Sequence, residues 1–307
     1  MQVISSKDYN SYQDYNTFLA IGAFDGLHQG HQLIIKKAVK KAEKAGCPAG
    51  VLSFYPHPQQ VIPGKTPPPA VISRQQKIDL LAKMGVDYYF EQQFTPEFAG
   101  LKSEIFVEKI LVKKLKVKKV IVGDDFRFGS KNEGNVEILQ QLAELNGFET
   151  EILAQLQSSD ERISSTRIRR LLKKGKLESA SKLLGRPYQI CGQVIHGKKR
   201  GRKLGFPTAN LKTETNYTLP PRGVYAVKVY HEDQQYLGAA NLGYNPTFKN
   251  KEISFEIYLL DFEGDLYGER LCVDFFAYIR GEKTFNNVTE LSQQMKKDVL
   301  YTRKVLC

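Results

Sequence analysis

Two histidines separated by two residues are the first side chains in this chain whose types and spacing suggest chemistry. His28 and His31 lie in the string IGAFDGLHQGH at residues 21–31, between an apolar run and the start of a helical pattern. Residues three apart share one face of a helix, so both imidazoles would lie on its first turn. Unpaired N–H groups and the helix dipole attract anions there, and Gly30 would let a nucleotide approach the backbone closely. The string therefore indicates a phosphate-binding site.

A pair of surface histidines, or a metal site completed by His57, would explain the same spacing. No acidic ligand is clearly placed beside these histidines, which disfavours the metal site. The surrounding string resembles the HxGH signature of the nucleotidyltransferase superfamily, which includes class I aminoacyl-tRNA synthetases and small adenylyltransferases. That resemblance favours a nucleotide site over both alternatives.

A second candidate for phosphate binding is the basic string ISSTRIRR at residues 163–170. Its hydroxyl groups suit a helix N-cap, and its guanidinium groups can hold a phosphate through two parallel hydrogen bonds. A basic amphipathic helix with a solvated face would explain the string equally well in isolation. Because the HxGH string lies at the other end of the same predicted domain, phosphate binding is favoured.

Two loops follow predicted strands, namely FYPHP at residues 54–58 and GDDFRFG at residues 123–129. Open α/β sheets bind ligands at the carboxyl ends of their strands. The second loop carries two carboxylates between glycines, with aromatic residues at alternate positions, and it could hold a flat, polar heterocycle. A turn with two core phenylalanines is the alternative interpretation.

The C-terminal part of the chain contains the glycine-punctuated basic string GKKRGRKLGF at residues 197–206. It lacks the GxxxxGK[ST] spacing of a Walker A loop. Its glycines could still present backbone N–H groups to phosphates, and its basic residues supply charge. From charge alone, a flexible basic hairpin or a nucleic-acid patch is the simpler interpretation.

Oxygen-bearing side chains follow this loop. Thr208 and Asn210 are two apart, so on a strand they point the same way, and both offer the hard oxygens that suit Mg²⁺ beside substrate phosphates. Glu256 lies in an alternating segment in which Phe255, Ile257 and Leu259 face the other side. Most such glutamates are simply solvated, but a kinase that acts on an alcohol needs a carboxylate to take the hydroxyl proton.

The elements that position these residues change in type near Gly185. Residues 1–185 alternate strand-like and helix-like segments, which predicts a doubly wound parallel sheet; helices are expected at residues 29–45, 73–85 and 135–146. The proline-rich residues 56–69 are not expected to be helical. Residues 188–280 show short alternating runs separated by turns, which predicts an antiparallel β-barrel. Residues 288–305 are expected to form a helix that ends the domain. The predicted domains are therefore 1–185 and 186–307.

Composition limits the protein class. The chain has 307 residues, 41% of them hydrophobic and 25% charged, which is typical of a soluble globular protein. Its net charge of +12 indicates either an anionic partner or simply a solvated basic surface. No apolar run is long enough for a transmembrane helix, and the N-terminus lacks a secretory pattern. A cytoplasmic location is expected. The four cysteines lie far apart without a CxxC pair, so four reduced thiols are expected.

The strings together resemble one family. AFDGLHQGH, FYPHP, GDDFRFG and ISSTRIR, followed by GRKLGFPTANL and DFEGDLYGE, are similar to the bacterial bifunctional riboflavin kinase/FMN adenylyltransferase (FAD synthetase) family, over essentially the whole chain and in the family's domain order. The resemblance implies that the barrel phosphorylates riboflavin with ATP to FMN, and that the N-terminal domain adenylylates FMN to FAD with release of pyrophosphate.

The resemblance also implies roles for individual residues, with ATP as co-substrate and Mg²⁺ as the metal. The catalytic residues would be Glu256, His28 and His31. The nucleotide-binding residues would be Gly22, Phe24, Asp25, Gly30, Ser164, Ser165, Thr166, Arg167, Arg169, Gly197, Gly201, Arg202 and Gly205. The flavin-binding residues would be Phe54, Pro56, His57, Asp125 and Phe126. The metal-binding residues would be Thr208 and Asn210.

The expected partners are small molecules only, with no nucleic acid and no membrane, and homo-oligomerisation stays open. Two other functions remain as alternatives. An adenylyl- or cytidylyltransferase for a different phosphate would leave the GFPTAN string unexplained. A basic nucleic-acid-binding protein would use the net charge but would explain neither the HxGH string nor the change of domain type.

Overall fold

The computed structural model describes residues 1–14, 16–62, 64, 66–158, 161–196, 207–213, 215–244 and 253–307. The chain divides into two units. The first comprises Met1–Pro68 and Arg74–Ser165, and the second comprises Pro69–Ser73 and Thr166–Cys307. None of the helices in these ranges combines the length and the apolar character that a bilayer-spanning helix requires.

The first unit contains a six-stranded parallel sheet with the order β1-β4-β3-β2-β5-β6. Its central strands are apolar and largely buried, as parallel strands covered on both faces must be, and the predicted parallel sheet is confirmed. The strands are β1 (Gln2–Ser5), β2 (Thr17–Ile21), β3 (Ala49–Tyr55), β4 (Tyr88–Gln93), β5 (Val117–Gly123) and β6 (Glu149–Leu153). A small separate sheet pairs β7 (Gln157–Ser158) with β8 (Glu161–Arg162).

Helices connect these strands, and α1 has a cap at each end. His28 is its N-cap, and Gly46 adopts the left-handed conformation at its end, which glycine does without steric cost. The helices are α1 (Gln29–Ala45), α2 (Pro58–Val61), α3 (Arg74–Lys83), α4 (Pro96–Ala99), α5 (Ser103–Phe106), which continues as π-helical turns over Val107–Lys114, and α6 (Val136–Asn146).

The single turn of α2 contradicts the prediction that residues 56–69 contain no helix. Pro58 occupies the first helical position, where the missing N–H group would have had no partner in any case. The Nδ1 atom of His57 accepts the N–H of Gln59 at 3.2 Å and caps the turn. A proline at the start of a short helix therefore does not break it.

The order of the strands opens a crevice at one point of the sheet. After β2 the chain adds β3 and then β4 on one side, and it later adds β5 on the other side of β2. The loops that follow β2 and β5 therefore leave the sheet in opposite directions, which is where open α/β sheets bind ligands. The loop after β2 leads to His28, and the loop after β5 contains Asp125.

The second unit is a closed antiparallel barrel with the order β10-β13-β12-β11-β14-β9, as predicted. Because the first and last strands pair, the barrel has no free edge. Its elements are α7 (Ser165–Lys173, of which Ser165 belongs to the first unit), α8 (Leu177–Leu184), β9 (Tyr188–Ile195), β10 (Thr208–Lys212), β11 (Gly223–His231), β12 (Gln234–Tyr244), β13 (Ile253–Leu259), β14 (Arg270–Arg280) and α9 (Val288–Leu306), which packs on β11, β12 and β14.

A segment from the N-terminal half of the sequence also belongs to the second unit. Ala70 pairs with Tyr217 in a parallel bridge, and the hydroxyl of Thr218 donates to the carbonyl of Pro69 at 2.9 Å. The sequence pattern showed no sign of this contribution, because it depends on long-range contacts of five residues without periodicity.

The prediction of four reduced thiols is wrong for two of the cysteines. Cys191 on β9 and Cys272 on β14 lie directly opposite each other in the antiparallel register and form a disulfide. Their sequence separation of 81 hid the pairing in the sequence, whereas the closure of the barrel brings their Cα atoms to 4.1 Å. Cys47 and Cys307 are free thiols.

Candidate functional site

The two histidines stack on each other at the start of α1. Their ring centroids are 3.6 Å apart with an interplanar angle of 20°. The Nδ1 atom of the buried His28 accepts the backbone N–H of His31 at 3.3 Å, so a neutral His28 carries its proton on Nε2. The residue that caps the helix is therefore a ring N–H donor through Nε2 in that tautomer.

Burial and neighbouring cations keep His31 neutral. Burial contributes most to lowering the pKa of His31 well below its usual value, followed by repulsion from His28, Lys77 and Arg162. Its Nδ1 atom is shielded from solvent and has no hydrogen-bond partner in the described parts of the chain. Buried polar atoms are rarely left unpaired. A bound anion would pair with this Nδ1 atom if it carries the ring proton, and a hydroxyl group would pair with it if it does not.

Two glycines make room for aromatic rings in this turn. A Cβ atom on Gly30 would lie 3.3 Å from the His28 ring, and one on Gly22 would lie 3.1 Å from the Phe24 ring. Phe24 adopts a left-handed conformation (φ 49°) and is buried edge-to-face against His31. Its side chain therefore packs beneath the histidine pair, and only its backbone could contact a nucleotide.

The serine-rich string begins at the histidine turn. The hydroxyl of Ser165 donates to the carbonyl of Asp25 at 2.7 Å, which brings the first residue of α7 to the loop after β2. Ser164 is half-buried beside it. Thr166, Arg167 and Arg169 belong to the second unit, where Nε of Arg169 donates to the carbonyl of Pro69 at 2.8 Å.

Arg162 is a residue of this region that the sequence analysis missed. Its guanidinium forms an ion pair with the carboxylate of Asp125, and its charge contributes to the lowered pKa of His31. Its position two residues before Ser164 was the one signal in the sequence that could have identified Arg162 as a site residue. The ion pair joins the strand before α7 to the loop after β5, within the first unit.

A cavity of about 420 Å³ lies among aromatic residues of the first unit. Of the predicted flavin-binding residues, Phe54 lines this cavity, whereas Pro56, His57, Asp125 and Phe126 do not. Phe126 stacks instead on Phe128, with ring centroids 5.5 Å apart. The sequence analysis missed the lining residues Phe94, Phe98 and Phe106, whereas Pro58, Arg127 and Phe128 belong to the two loops that it singled out.

The proposed metal site with His57 as third ligand is not formed. His57 uses its Nδ1 atom as the cap of α2. Within the described ranges, the His, Cys, Asp and Glu side chains close enough together to share an ion are His231, Glu232 and Glu269, which lie at one end of the barrel and do not include the histidine pair.

The predicted kinase residues share one face of the barrel. Asn210 lies directly opposite Glu256 in the register of β10 and β13, and directly opposed residues point to the same side of a sheet. Thr208 lies two residues before Asn210 on the same face. On the other side of β13, Asn241 is also opposite Glu256, so the carboxylate lies between two amides. Asn241 is a site residue that the sequence analysis did not select.

The alternation of β13 explains why Glu256 is accessible. Phe255, Ile257 and Leu259 are buried in the barrel, while Glu256 is half-buried on the other face. The hydroxyl of Ser254 donates to Oε1 of Glu256 at 3.1 Å. This bond orients the carboxylate and leaves Oε2 for another partner.

A second cavity, of about 610 Å³, adjoins this face. It is lined by Pro207, Thr208 and the loop at residues 262–267, which belongs to the string DFEGDLYGE. The hydroxyl of Thr208 and the amide oxygen of Asn210 fit Mg²⁺ as hard oxygen ligands. The predicted phosphate-binding residues Gly197, Gly201, Arg202 and Gly205 lie outside the described residues.

Family models match both parts of the chain. A model described as FAD synthetase matches residues 10–167, and a model described as riboflavin kinase matches residues 184–306. The two matches together span nearly the whole sequence and fall on the parallel-sheet region and the barrel.

Curated proteins named bifunctional riboflavin kinase/FMN adenylyltransferase are similar over most of the chain. The protein of Listeria monocytogenes is 40% identical over 96% of this chain and 94% of its own length. That of Bacillus subtilis is 37% identical over 91% and 89%, and that of Escherichia coli K12 is 37% identical over 93% and 91%.

A solved structure has the same fold over the full length. It is a crystal structure described as a macrolide-efflux protein from Streptococcus pneumoniae, with a TM-score of 0.88, 32% sequence identity and coverage of 99% of each chain.

Proposed function

The chain belongs to the family of bifunctional riboflavin kinases/FMN adenylyltransferases, and on this premise we propose that residues 1–185 carry out adenylyl transfer and residues 186–307 carry out riboflavin phosphorylation. The enzyme converts riboflavin and ATP to FMN, and then FMN and a second ATP to FAD and pyrophosphate. The observation that supports the division is the separation of the histidine pair and Glu256 between the two units.

Adenylyl transfer needs positioning and charge stabilisation more than it needs a base. A phosphate oxygen of FMN, already anionic, attacks the α-phosphorus of ATP; the new P–O bond forms as the bond to the β-phosphate oxygen breaks, and pyrophosphate leaves. The Nε2–H of His28 would donate to a phosphate oxygen, and neutral His31 would complete the anion site. Ser164 and Ser165 would hold the polyphosphate, and the phosphate-binding roles of Thr166, Arg167 and Arg169 stay predictions from the sequence.

The aromatic cavity of the first unit is the proposed site of the isoalloxazine ring. Its volume of about 420 Å³ and its walls of phenylalanine rings suit a planar heterocycle, because small-molecule sites are concave and mostly apolar. Arg127 at its margin supplies a cation for an anionic part of FMN. This proposal retains Phe54 from the sequence analysis and replaces Phe126 with Phe128 as the ring-contacting residue.

In the barrel, we assign the proton transfer to Glu256. Its carboxylate would accept the proton of the ribityl 5′-hydroxyl as that oxygen bonds to the γ-phosphorus of ATP and ADP leaves. The hydrogen bond from Ser254 holds the carboxylate, and Asn210 and Asn241 flank it. Thr208 and Asn210 would hold Mg²⁺, which when bound neutralises charge on the phosphates.

The remaining assignments rest on the chemistry of the substrates. Riboflavin, FMN and ATP account for the basic character of the chain without a nucleic acid, and the use of ATP in both steps supports a cytoplasmic enzyme. The role of the basic loop at residues 197–205 in covering the phosphates of the kinase substrate stays a prediction from the sequence.

A time course tests the proposed function. The purified protein would be incubated with riboflavin, ATP and Mg²⁺, and the flavins would be separated by chromatography. We expect FMN to appear first and FAD to follow. If neither oxidised nor reduced riboflavin gives a phosphorylated product, the assignment is wrong, and binding to random oligonucleotides as a function of salt would then test the nucleic-acid alternative.

A further inference from the structure

We propose that Lys77 is a positioning residue of the adenylyl-transfer site, whose ammonium group holds the turn before the histidine pair and must be protonated for that reaction. The inference rests on the proposed function of the first unit. It assigns a role to a lysine on α3, far in sequence from every motif described above.

The ammonium group of Lys77 lies at the ends of two central strands. Its Nζ atom donates to the carbonyl of Ala23 at 2.7 Å and to Oγ of Ser53 at 3.2 Å. Ala23 follows β2 and immediately precedes the left-handed Phe24, and Ser53 lies near the end of β3. Lys77 therefore fixes the carbonyl at the point where the chain turns from β2 toward His28.

Among the described residues, no carboxylate forms an ion pair with the ammonium group of Lys77. Asp25, in the turn after β2, and Glu91, on β4, attract it, whereas Arg74, on its own helix, repels it. Glu91 is already held by Arg74 through two hydrogen bonds of 2.5 and 3.0 Å. On α1, the charge of Lys77 contributes to the lowered pKa of His31.

Burial, as the largest cause, lowers the pKa of Lys77 to about 8. The ammonium group is thus held at a cost in free energy, because the two neutral oxygens that it contacts do not replace its hydration. Its loss would not leave an unpaired group at this point, since Oγ of Ser53 also donates to the carbonyl of Ala23 at 3.1 Å. Structural stability does not explain this lysine.

A polyphosphate beside the histidine pair does explain it. The ammonium group of Lys77 is poorly solvated in the free enzyme, and an anion that binds nearby stabilises its charge. The poor solvation of this charge therefore strengthens the attraction of the site for ATP. As the pH rises through about 8, the ammonium group loses its proton, and both the charge and one donor to Ala23 are lost. Adenylyl transfer should therefore decline on the alkaline side.

The experiment measures kcat/KM for ATP in the conversion of FMN to FAD between pH 6.5 and 10. For the wild-type protein we expect a decline with an apparent pKa near 8, because kcat/KM reports groups of the free enzyme. Lys77→Arg keeps its charge over this range and should lose the decline. Lys77→Met should lower kcat/KM at pH 7 by about tenfold or more and should also show no decline near pH 8.

Two controls separate a positioning role from a structural one. Lys83→Met, an exposed position on the same helix, should leave both activities and the pH profile as they are. Lys77→Met should retain the melting temperature of the wild-type protein and its riboflavin phosphorylation. A lowered melting temperature in that variant would indicate a structural role and overturn the proposal.

The other outcomes are also decisive. An alkaline decline near pH 8 that persists in Lys77→Met contradicts the proposal, whatever the activity of Lys77→Arg, because the titrating group is then elsewhere. Unchanged kcat/KM in Lys77→Met contradicts it as well. A wild-type protein that makes no FAD at any pH would instead refute the proposed function of the first unit, and riboflavin phosphorylation in the same sample would show that the protein is folded.

Discussion

His28 and His31 have different roles at the start of α1, although both are imidazoles. His28 uses Nδ1 to cap the helix, so a neutral His28 carries its ring proton on Nε2. His31 is kept neutral by burial and by nearby cations, so its pKa lies well below neutrality. The pair therefore offers an anion two imidazole groups at a helix N-terminus, and the positive charges that act on His31 include Lys77 and Arg162.

Replacement of both histidines tests this role. We expect His28→Ala with His31→Ala to reduce FAD formation from FMN by at least about a hundredfold, since the donors at the phosphates are removed, while riboflavin phosphorylation continues and FMN accumulates. Chromatography of the flavins measures both steps in one reaction.

Lys36→Ala, an exposed position on the same helix, is the matched control and should behave as the wild-type protein. Loss of FMN formation together with FAD formation in a folded double variant would show that the two reactions do not use separate sites.

Glu256 is the corresponding residue of the barrel. Glu256→Gln keeps the shape and the bond from Ser254 but cannot accept the hydroxyl proton, so we expect riboflavin phosphorylation to fall by about a hundredfold or more. Conversion of added FMN to FAD should be unchanged. Separate kinetic assays of riboflavin phosphorylation and of the conversion of FMN to FAD test this expectation. Glu232→Gln, at an exposed turn, is the control. Normal phosphorylation by Glu256→Gln would remove this residue from its proposed role.

At the scale of elements, the loops after β2, β3 and β5 lie at one edge of the sheet, because parallel strands end there, and they would build the proposed adenylyl-transfer region. The loop after β5 also forms a wall of the aromatic cavity. Phe128 in this loop is held by paired backbone bonds to Gly134, with N···O distances of 2.9 and 3.1 Å. The position of the Phe128 ring thus depends on a glycine outside the cavity.

Gly134→Ala tests whether this wall contacts FMN. A Cβ atom at this position would lie 2.7 Å from the Phe128 ring, so the ring must shift. We expect the KM for FMN to rise about tenfold, which corresponds to about 1.4 kcal/mol of lost binding, and the KM for riboflavin in the kinase reaction to stay constant. An unchanged KM for FMN in the folded variant would place the flavin outside this cavity.

At the scale of the whole molecule, the two units have different sources of stability. The parallel sheet depends on its apolar layers, whereas the barrel also carries a disulfide between β9 and β14. A covalent link that closes a long loop restricts the unfolded chain. Only the second unit should therefore respond to reduction.

Calorimetry with and without a thiol reductant checks this difference. We expect reduction to lower the stability of the barrel by about 2–4 kcal/mol and to leave the transition of the first unit in place. Cys272→Ser should reproduce the effect without reductant, and Cys47→Ser with Cys307→Ser should not. Identical transitions for the reduced and oxidised wild-type protein would contradict the expectation.

The sequence predicted most of the fold because its signals are local. The apolar spacing of residues 29–45 and Gly46 predicted α1, and the alternation of β13 predicted which side chains are buried. Strands β1, β4 and β6 were not predicted, since they are short and lack a clear period. The one-turn helix after His57 was also missed, because a proline at its first position resembles a loop signal. The boundary at residue 185 stays a prediction.

The sequence by itself determined the two domain types and the order of the motifs, because periodicity, caps and spacing act over about ten to twenty residues. Only the tertiary structure decided which residues meet. The pairing of Cys191 with Cys272, the row of Asn210, Glu256 and Asn241, and the contacts of Lys77 all depend on strand order and register. Those are set by long-range packing, which no local pattern specifies.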